Sequence, residues 1–328
     1  MGKSIPILLC LAMLFLVSCS AQEPGCTDPL ANNFDPRASM NDGSCIYNSA
    51  AVSPLTTLSL SELLDETSGL ILWDGFLWTH NDDTDTRIYQ VDKSQADIIK
   101  QFELKGVVNR DWEEISQDED YIYLGDFGNN GAGNRKDLHL LRIEKQTLRS
   151  GHAIIDTIWF SYSDQLDFDP QPPNQTEFDC EAFIVSYDSI YLFTKQWLSG
   201  YTSVYSLPKV PGRYLAERID HYDIQGLVTG ASYLDSLNLL ALCGYNIMLQ
   251  PFIFLLYDFQ DFRFFSGNKR KLSVNLPFHQ VEGLATNDGL IYFLSNEAIV
   301  FQEAVNIEQA LHLFDLNPYL QGYVNGSE

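Results

Sequence analysis

Acidic residues recur at one position of a repeated pattern, and they are the residues in this chain with the clearest capacity for chemistry. Glu113, Glu181 and Glu282 each stand third in a short segment that leads into an apolar run. Carboxylates brought together can hold a cation or exchange protons with a substrate. Charged residues also end the second apolar run of several repeats. The candidate ligand or metal residues are Glu113, Glu181, Glu282, Asp126, Glu297, His80 and Lys195.

Three glutamates facing one channel would repel one another. Charges ~6 Å apart at an effective dielectric near 20 cost roughly 3 kcal/mol per pair. A bound cation would offset this repulsion, and Ca²⁺ is the ion that such hard oxygen ligands suit. Protonation of one carboxyl, or neutralisation by Lys195 and His80, would offset it as well. A wider, water-filled channel would leave the charges solvated, so these alternatives stay open.

The elements that must position these residues form five copies of one pattern. Each copy has an apolar strand, a turn rich in Asp, Gly, Asn or Ser, and an aromatic or aliphatic strand, as in DYIYLGD. Units of this size built from short strands are typical of β-propeller blades. The copies start 45, 68, 49 and 52 residues apart, at Glu66, Asp111, Asp179, Val228 and Gln280.

We therefore expect an all-β fold, a β-propeller of five four-stranded blades over residues 51–328. Six blades are the alternative because one repeat is long, although its excess falls in two loops at 128–137 and 166–178 that are rich in turn residues. A β-sandwich with an accidental repeat is the competing architecture. The run Leu55–Ser61 is expected to supply the missing outer strand of the last repeat and so to close the ring.

In a propeller, the first strand of each blade lines the central channel. The third residue of each repeat and the last residue of each second strand would then meet at one end of that channel. The third residues are Ser68, Glu113, Glu181, Gly230 and Glu282, and the second-strand ends are His80, Asp126, Lys195, Tyr245 and Glu297.

Residues 1–18 are typical of an export signal. Lys3 precedes an apolar run from Ile5 to Val17, which is too short to span a membrane and suits a signal peptide. The run ends at Cys19 in a segment that resembles a bacterial lipoprotein box, so we expect Cys19 to be lipidated. An ordinary signal peptide cleaved near Ala21 is the alternative. We predict an outer-membrane lipoprotein on the periplasmic or cell-surface side, attached by its lipid alone.

Residues 19–50 form a spacer rich in Asp and Asn that resembles short cysteine-bounded repeats of secreted bacterial proteins. In an oxidising compartment we expect Cys26 and Cys45 to form a disulfide. Asp28, Asp35 and Asp42 carry oxygen ligands that would suit Ca²⁺, but their spacing does not match an EF-hand loop. A stapled spacer of Asx turns without metal is the alternative.

The net charge of −24 argues against nucleic acid as a partner, because phosphates bind Lys and Arg. The chain also lacks the sequence motifs of serine hydrolases, zinc proteases and phosphate-binding loops. These absences leave open whether the protein is an enzyme, and no catalytic residue can be assigned.

The repeats resemble an uncharacterised family of secreted bacterial β-propellers, similar in style to strictosidine-synthase-like and gluconolactonase-like propellers. The resemblance covers Glu66 to Glu297. It implies the fold and no activity, and Ser68 and Gly230 depart from its acidic third position. The matching segments are SGL with WTHND, DWEEIS with YLGDFGNN, DCEAF with YLFTK, VTGAS, and VEGLA with LSNE.

These observations favour a binding module that presents its central face to a surface polysaccharide, peptide or protein. The alternative is a hydrolase of the lactonase or phosphoesterase type in which a calcium-like ion polarises substrate and water. A structural surface protein without a ligand ranks third.

Overall fold

The computed structural model describes residues 22–301 and 305–326. Its helices there are α1, Lys145–Arg149, and α2, Asn317–Val324. Neither has the length and apolar character needed to cross a bilayer. The predicted signal segment and Cys19 lie outside the described residues.

The chain enters through a small disulfide-bonded module, residues 22–49, which we call the stapled module. Its strands β1, Pro24–Gly25, and β2, Met40–Asn41, pair in parallel. The predicted disulfide between Cys26 and Cys45 is present. Two short strands follow, β3 (Ala50–Val52) and β4 (Thr56–Ser59).

The main strands form an eight-stranded sheet, a five-stranded sheet and two four-stranded sheets. Within these sheets, five runs of strands pair antiparallel in chain order, and we call each run a unit; β4 completes the last one. The strands are β5 Thr67–Trp73, β6 Phe76–Asn81, β7 Arg87–Val91 and β8 Ile98–Glu103 in the first unit; β9 Trp112–Gln117, β10 Tyr121–Asp126, β11 His139–Glu144 and β12 Ile155–Tyr162 in the second; β13 Asp179–Val185, β14 Ser189–Lys195, β15 Thr202–Pro208 and β16 Gly212–Tyr222 in the third; β17 Leu227–Leu234, β18 Leu239–Tyr245, β19 Pro251–Tyr257 and β20 Asn268–Val274 in the fourth; and β21 Val281–Ala285, β22 Ile291–Asn296, the inserted hairpin β23 Ile299–Phe301 and β24 Val305–Ile307, and β25 Ala310–Asp315 in the fifth.

The first strands of the five units form a ring of neighbours. Strand β5 lies against β9 and β21, β13 lies against β9 and β17, and β17 lies against β21. The segment predicted to supply an outer strand does so, because β4 pairs with β25 from Ser59–Ala310 to Thr56–Leu313. The second and third units also join at their outer edges, where β12 pairs in parallel with β16. Strand β3 pairs in parallel with β20.

The apolar core lies between neighbouring units, because the strands alternate apolar side chains toward both adjacent sheets. Trp78 of the first unit packs in one cluster with Trp112 of the second, and Phe183 of the third packs with Tyr123 of the second. A cluster around Leu70 and Leu311 joins the fifth unit to the first. Strands near the ring, such as β13, therefore have both faces covered, whereas the outer strands β8 and β16 are partly exposed.

A β-bulge interrupts the pairing of the first two strands in every unit. In the second, third and fifth units the extra, unpaired residues are Glu113, Glu181 and Glu282. A bulge redirects a side chain and is common beside functional sites. In the fourth unit the register places Thr229, and not Gly230, at this position. The alignment of the repeats by sequence was therefore wrong by one residue there.

Candidate functional site: an acidic central cavity

The starts of the first strands and the ends of the second strands surround a cavity of about 200 Å³. Its lining is polar, and among the described residues Lys195 is the only basic one that contributes to it. Trp197, Tyr245 and Gln280 also line it. Its six carboxylates are those of Asp82, Asp111, Glu113, Glu181, Glu282 and Glu297.

Lys195 and Glu181 form a buried ion pair at the centre of this cavity. The Lys195 Nζ lies 2.5 Å from Glu181 Oε2 and donates to the Tyr245 hydroxyl at 3.0 Å. It also lies 4.6 Å from the centre of the Trp197 ring. Burial opposes the charged ammonium, but Glu181, Tyr245, Glu282 and Asp179 together outweigh burial and raise the pKa of Lys195 well above its ordinary value. Lys195 is therefore charged and already paired.

Around this pair lies a first acidic group, formed by Glu113, Asp179 and Glu181. One carboxylate oxygen from each lies within 4.8 Å of the others. Both Asp179 oxygens have donors, the Asn129 backbone N–H at 2.6 Å and the Trp197 Nε1 at 2.7 Å. Burial, and then the charge of Glu181, raise the pKa of Glu113 well above its ordinary value. Glu113 is thus suited to hold a proton, and the ammonium of Lys195 supplies a positive charge to this group through its contact with Glu181.

A second acidic group, formed by Glu66, Asp82 and Glu297, has no basic side chain in contact with it in the described part of the chain. One oxygen of each residue again lies within 4.8 Å of the others. Burial and the Glu66 carboxylate raise the pKa of Asp82 to about 8. Burial raises the pKa of Glu297 to about 7, although Lys195 opposes this. This group, whose Asp82 Oδ1 is buried without a partner, has the donor set for a divalent cation.

Glu282 is another carboxylate of the cavity that has no hydrogen-bond donor among the described residues. The residue is 6% exposed and lines the cavity, yet no described residue donates a hydrogen bond to its carboxylate. Burial raises its pKa well above the ordinary value, with Lys195 opposing and Glu181 adding to the shift. A buried acceptor without a donor is costly, so Glu282 is ready to accept from a ligand.

Two residues proposed from the sequence do not line the cavity. His80 is fully buried, its Nδ1 lies 3.1 Å from the Asn81 carbonyl oxygen, and its ring meets Trp112 edge-on. Burial lowers the pKa of His80 to about 4, so it is neutral and cannot balance the glutamates. Asp126 accepts a hydrogen bond from Arg135 at 2.5 Å, is fully buried, and is not among the residues that line the cavity.

Hydroxyl groups connect neighbouring first strands around the ring. Ser68 Oγ donates to the Glu113 carbonyl at 2.6 Å, and Thr229 Oγ1 donates to the Val281 carbonyl at 2.5 Å. Ser68 also lines the cavity. These residues hold the ring together where other units carry a glutamate.

Next to the cavity residue Glu113 in β9 is Glu114, which sequence reasoning did not single out. Its fully buried carboxylate accepts the backbone N–H groups of Ile115 at 2.9 Å and Ala231 at 2.8 Å, and so connects two first strands. Gly69, with φ +51°, makes room for it, since a Cβ there would lie 2.6 Å from Glu114 Oε1. A second cavity of about 250 Å³, lined by Leu70 and Ala285 among others, lies toward the other ends of the first strands.

The structure does not bring the three aspartates of the stapled module together. Asp28 accepts the hydroxyls of Tyr47 at 2.7 Å and Tyr257 at 2.6 Å. Asp35 forms an exposed ion pair with Arg37. Asp42 accepts a hydrogen bond from the Ser44 backbone N–H in an Asx turn. Their oxygens are engaged separately, each with its own partners.

The sequence did contain a signal for the residues that were missed. Glu66, Asp111 and Asp179 are the first residues of three repeats, two positions before the third residue on which attention was placed. Asp82 follows the second strand of the first unit. A search for acidic residues over the whole repeat start, and not at one position, would have found them.

No protein-family model matches this chain, and no curated protein matches it. Many solved structures resemble it, including the following two. A chain of the hydrazine synthase of Kuenenia stuttgartiensis does so with a TM-score of 0.39 and 13% identity, over 80% of this chain and 68% of that chain. A chain of the mitotic checkpoint complex does so with a TM-score of 0.40 and 11% identity, over 82% and 97% respectively. At these TM-scores neither resemblance supports an argument about function or ancestry.

Proposed function

We propose that this protein is a lipid-anchored, extracytoplasmic β-propeller of five blades that binds a cationic group of its ligand in the central cavity. The five four-stranded units, the ring of first strands and the closure by β4 support the propeller interpretation. The binding interpretation depends on the cavity.

The observation that carries the binding function is the excess of acidic groups over basic ones inside a buried cavity. Six carboxylates line it, and Lys195 is already ion-paired with Glu181. Glu282 has no donor, and Asp82 and Glu297 have raised pKa values because burial and mutual repulsion oppose their charges. A ligand cation would relieve that repulsion and satisfy acceptors that the protein leaves open.

The position of the stapled module supports the anchored orientation. Thr27 Oγ1 bonds to Asp258 at 3.0 Å, and Asn41 Nδ2 bonds to Asn268 at 3.0 Å. These partners lie where β19 ends and β20 begins, which is the end of the fourth unit opposite the cavity. A lipid on Cys19 would therefore hold the opposite end toward the membrane and leave the cavity facing away. Replacement of Cys19 by Ser should leave the protein unprocessed or unattached, and palmitate labelling of the variant would refute the anchor.

Ligand-dependent unfolding of the mature protein tests the binding function. Ca²⁺, Mg²⁺, methylguanidinium and n-butylammonium are titrated separately, and a ligand at 100 times its dissociation constant adds about 2.7 kcal/mol to the free energy of unfolding. We expect at least one cation to raise Tm and the substitution Glu282→Gln to remove most of that rise. Glu217→Gln, at an exposed position of the outer strand β16, is the matched control. If no cation raises Tm, or if both variants behave alike, the cavity is not the binding site.

The second candidate function, a calcium-dependent hydrolase, is favoured by the group of Glu66, Asp82 and Glu297. A divalent ion held there would polarise a substrate oxygen, and the proton on Glu113 could serve a leaving group. Hydrolysis of simple lactones and phosphodiesters, abolished by EDTA and by Asp82→Asn, would support this candidate. A Tm that responds to the organic cations and not to Ca²⁺ would exclude it.

A further inference from the structure

The mouth of the central cavity has an apolar side. Three exposed loops beside the lining residues Trp197, Tyr245 and Gln280 carry large apolar side chains that nothing in the described chain covers. We call this set the apolar rim, and its members with their exposed fractions are Leu198 (67%), Ile247 (90%), Met248 (72%) and Phe278 (50%).

The loops of the apolar rim are held in a fixed and unfavourable backbone conformation. The Phe278 N–H donates to the Leu249 carbonyl at 2.8 Å, which ties the loop after β18 to the loop before β21. Both residues have positive φ, +68° at Phe278 and +53° at Leu249. Bulky residues rarely adopt this region, and strain of this kind persists at ligand-binding sites. An exposed phenylalanine gains little burial in return, so its presence is better explained by a partner.

The other side of the mouth is acidic. Glu66, Asp82 and Asp111 belong to the first and second units, across the ring from the loops of the fourth unit. An occupant of the mouth therefore meets carboxylates on one side and apolar side chains on the other. The carboxylates favour an occupant with a cationic group, and the apolar rim favours apolar groups attached to that cationic group.

We propose that the partner is a peptide segment of a protein, whose Lys or Arg side chain enters the cavity while flanking apolar side chains rest on the apolar rim. This inference rests on the proposed function. An Arg guanidinium forms strong charge-assisted hydrogen bonds with a carboxylate, and Glu282 is available for it because no described residue donates to its carboxylate. A bare metal ion would leave the rim unused, and a neutral polysaccharide would leave the buried carboxylates without a counter-charge.

Binding of three short peptides to the mature, full-length protein tests the inference. The probes are N-acetylated, C-amidated Leu-Arg-Leu, Gly-Arg-Gly and Leu-Gln-Leu, with dissociation constants from calorimetry. We expect Leu-Arg-Leu to bind about tenfold tighter than Gly-Arg-Gly, because tenfold corresponds to the burial of roughly two methylene groups. Leu-Gln-Leu should show no binding.

Substitutions in the rim locate the effect. Ile247→Ser with Met248→Ser should remove the tenfold preference for Leu-Arg-Leu and leave the affinity for Gly-Arg-Gly unchanged. Because both side chains are exposed, Tm should not change. Ile154→Ser with Tyr187→Ser removes similar exposed apolar groups, 58% and 88% exposed, at the opposite ends of the strands and is the matched control.

The outcomes separate the two proposals. Equal affinities for Leu-Arg-Leu and Gly-Arg-Gly, or an unchanged preference in the rim variant, would overturn the peptide inference and leave cation binding intact. Equal binding of Leu-Gln-Leu would show that charge is not recognised. If neither arginine peptide nor any small cation binds, the proposed function fails together with the inference.

Discussion

Removal of the cavity's lysine should be one of the most destabilising single substitutions in this protein. In Lys195→Met the Glu181 carboxylate keeps its burial, since its side chain is 4% exposed, but loses the ammonium 2.5 Å away. Breaking a buried ion pair by removing one partner costs about 3–5 kcal/mol, because an uncompensated charge stays buried. The contact of the ammonium with the Trp197 ring adds to the loss. We expect the free energy of unfolding to fall by about 3–5 kcal/mol.

The loss should depend on pH with a definite sign. In the variant, Glu181 can escape its charge only by taking up a proton, so its folded pKa lies above the unfolded one. In the parent, burial already raises the pKa of Glu181 well above its ordinary value, with Lys195 opposing the shift. The variant is therefore least destabilised at low pH, and its deficit relative to the parent grows as the pH rises above the parent's folded pKa of Glu181. The second substitution Glu181→Gln in the same chain removes the stranded charge and should recover more than half of the loss at neutral pH.

Urea unfolding at several pH values measures these changes, with the slope of the transition checked for constancy. Lys209→Met is the matched control, since Lys209 pairs with Asp118 at 2.9 Å but both side chains are partly exposed. Such pairs contribute about 1 kcal/mol or less. A loss below that of Lys209→Met, or a double variant no more stable than Lys195→Met, would refute the reasoning that Lys195 neutralises a charged Glu181.

Two further changes give expected outcomes. The raised pKa values of Asp82 and Glu297, about 8 and about 7, lie above the unfolded values of 3.8 and 4.5. The folded protein therefore holds these protons more tightly and should lose stability as the pH rises through this range. Added Ca²⁺ should reduce that loss if it binds there. A urea midpoint that rises between about pH 5 and about pH 8, in the parent as well as in Asp82→Asn, would contradict the predicted pH dependence. Replacing Cys26 and Cys45 by Ser removes a disulfide between residues 19 positions apart and should lower the stability of the stapled module by about 3 kcal/mol. Limited proteolysis between these residues measures the change. Equal protection from proteolysis with and without reductant would argue against this prediction.

The sequence predicted the all-β fold and the order of its strands well, because each repeat alternates apolar residues with strong turn signals. It predicted less well which residue of each repeat faces the cavity. The bulge that projects Glu113 and Glu181 inserts one residue into the pairing, and apolar alternation does not show where the insertion falls. At the fourth repeat this made Gly230 the aligned residue, whereas the register selects Thr229.

The same uncertainty explains His80 and Asp126. Successive side chains of a strand point to opposite faces, so a shift of one residue exchanges the cavity for the interior between sheets. Lys195 pairs with Asp179 in the register, while Asp126 pairs with Trp112, one row further from the cavity. Lys195 and Asp126 were treated as equivalent ends of second strands, but they occupy different rows. The pattern of burial could not distinguish the two rows, because Asp126 in one row and Lys195 in the other are both buried.

The pairing of β4 with β25 has a consequence for how the protein is made. These strands lie about 250 residues apart in the chain, yet they hydrogen-bond within one sheet. Contacts of such long sequence separation form late and slow folding, because the chain must first lose the entropy of closing a large loop. The last unit cannot be completed before its final strand is synthesised, so a chain emerging from a ribosome or an export channel keeps an open sheet edge until its end is released. We expect that nascent protein to depend on chaperones, or to be at risk from proteases, for longer than a protein of similar size with local contacts.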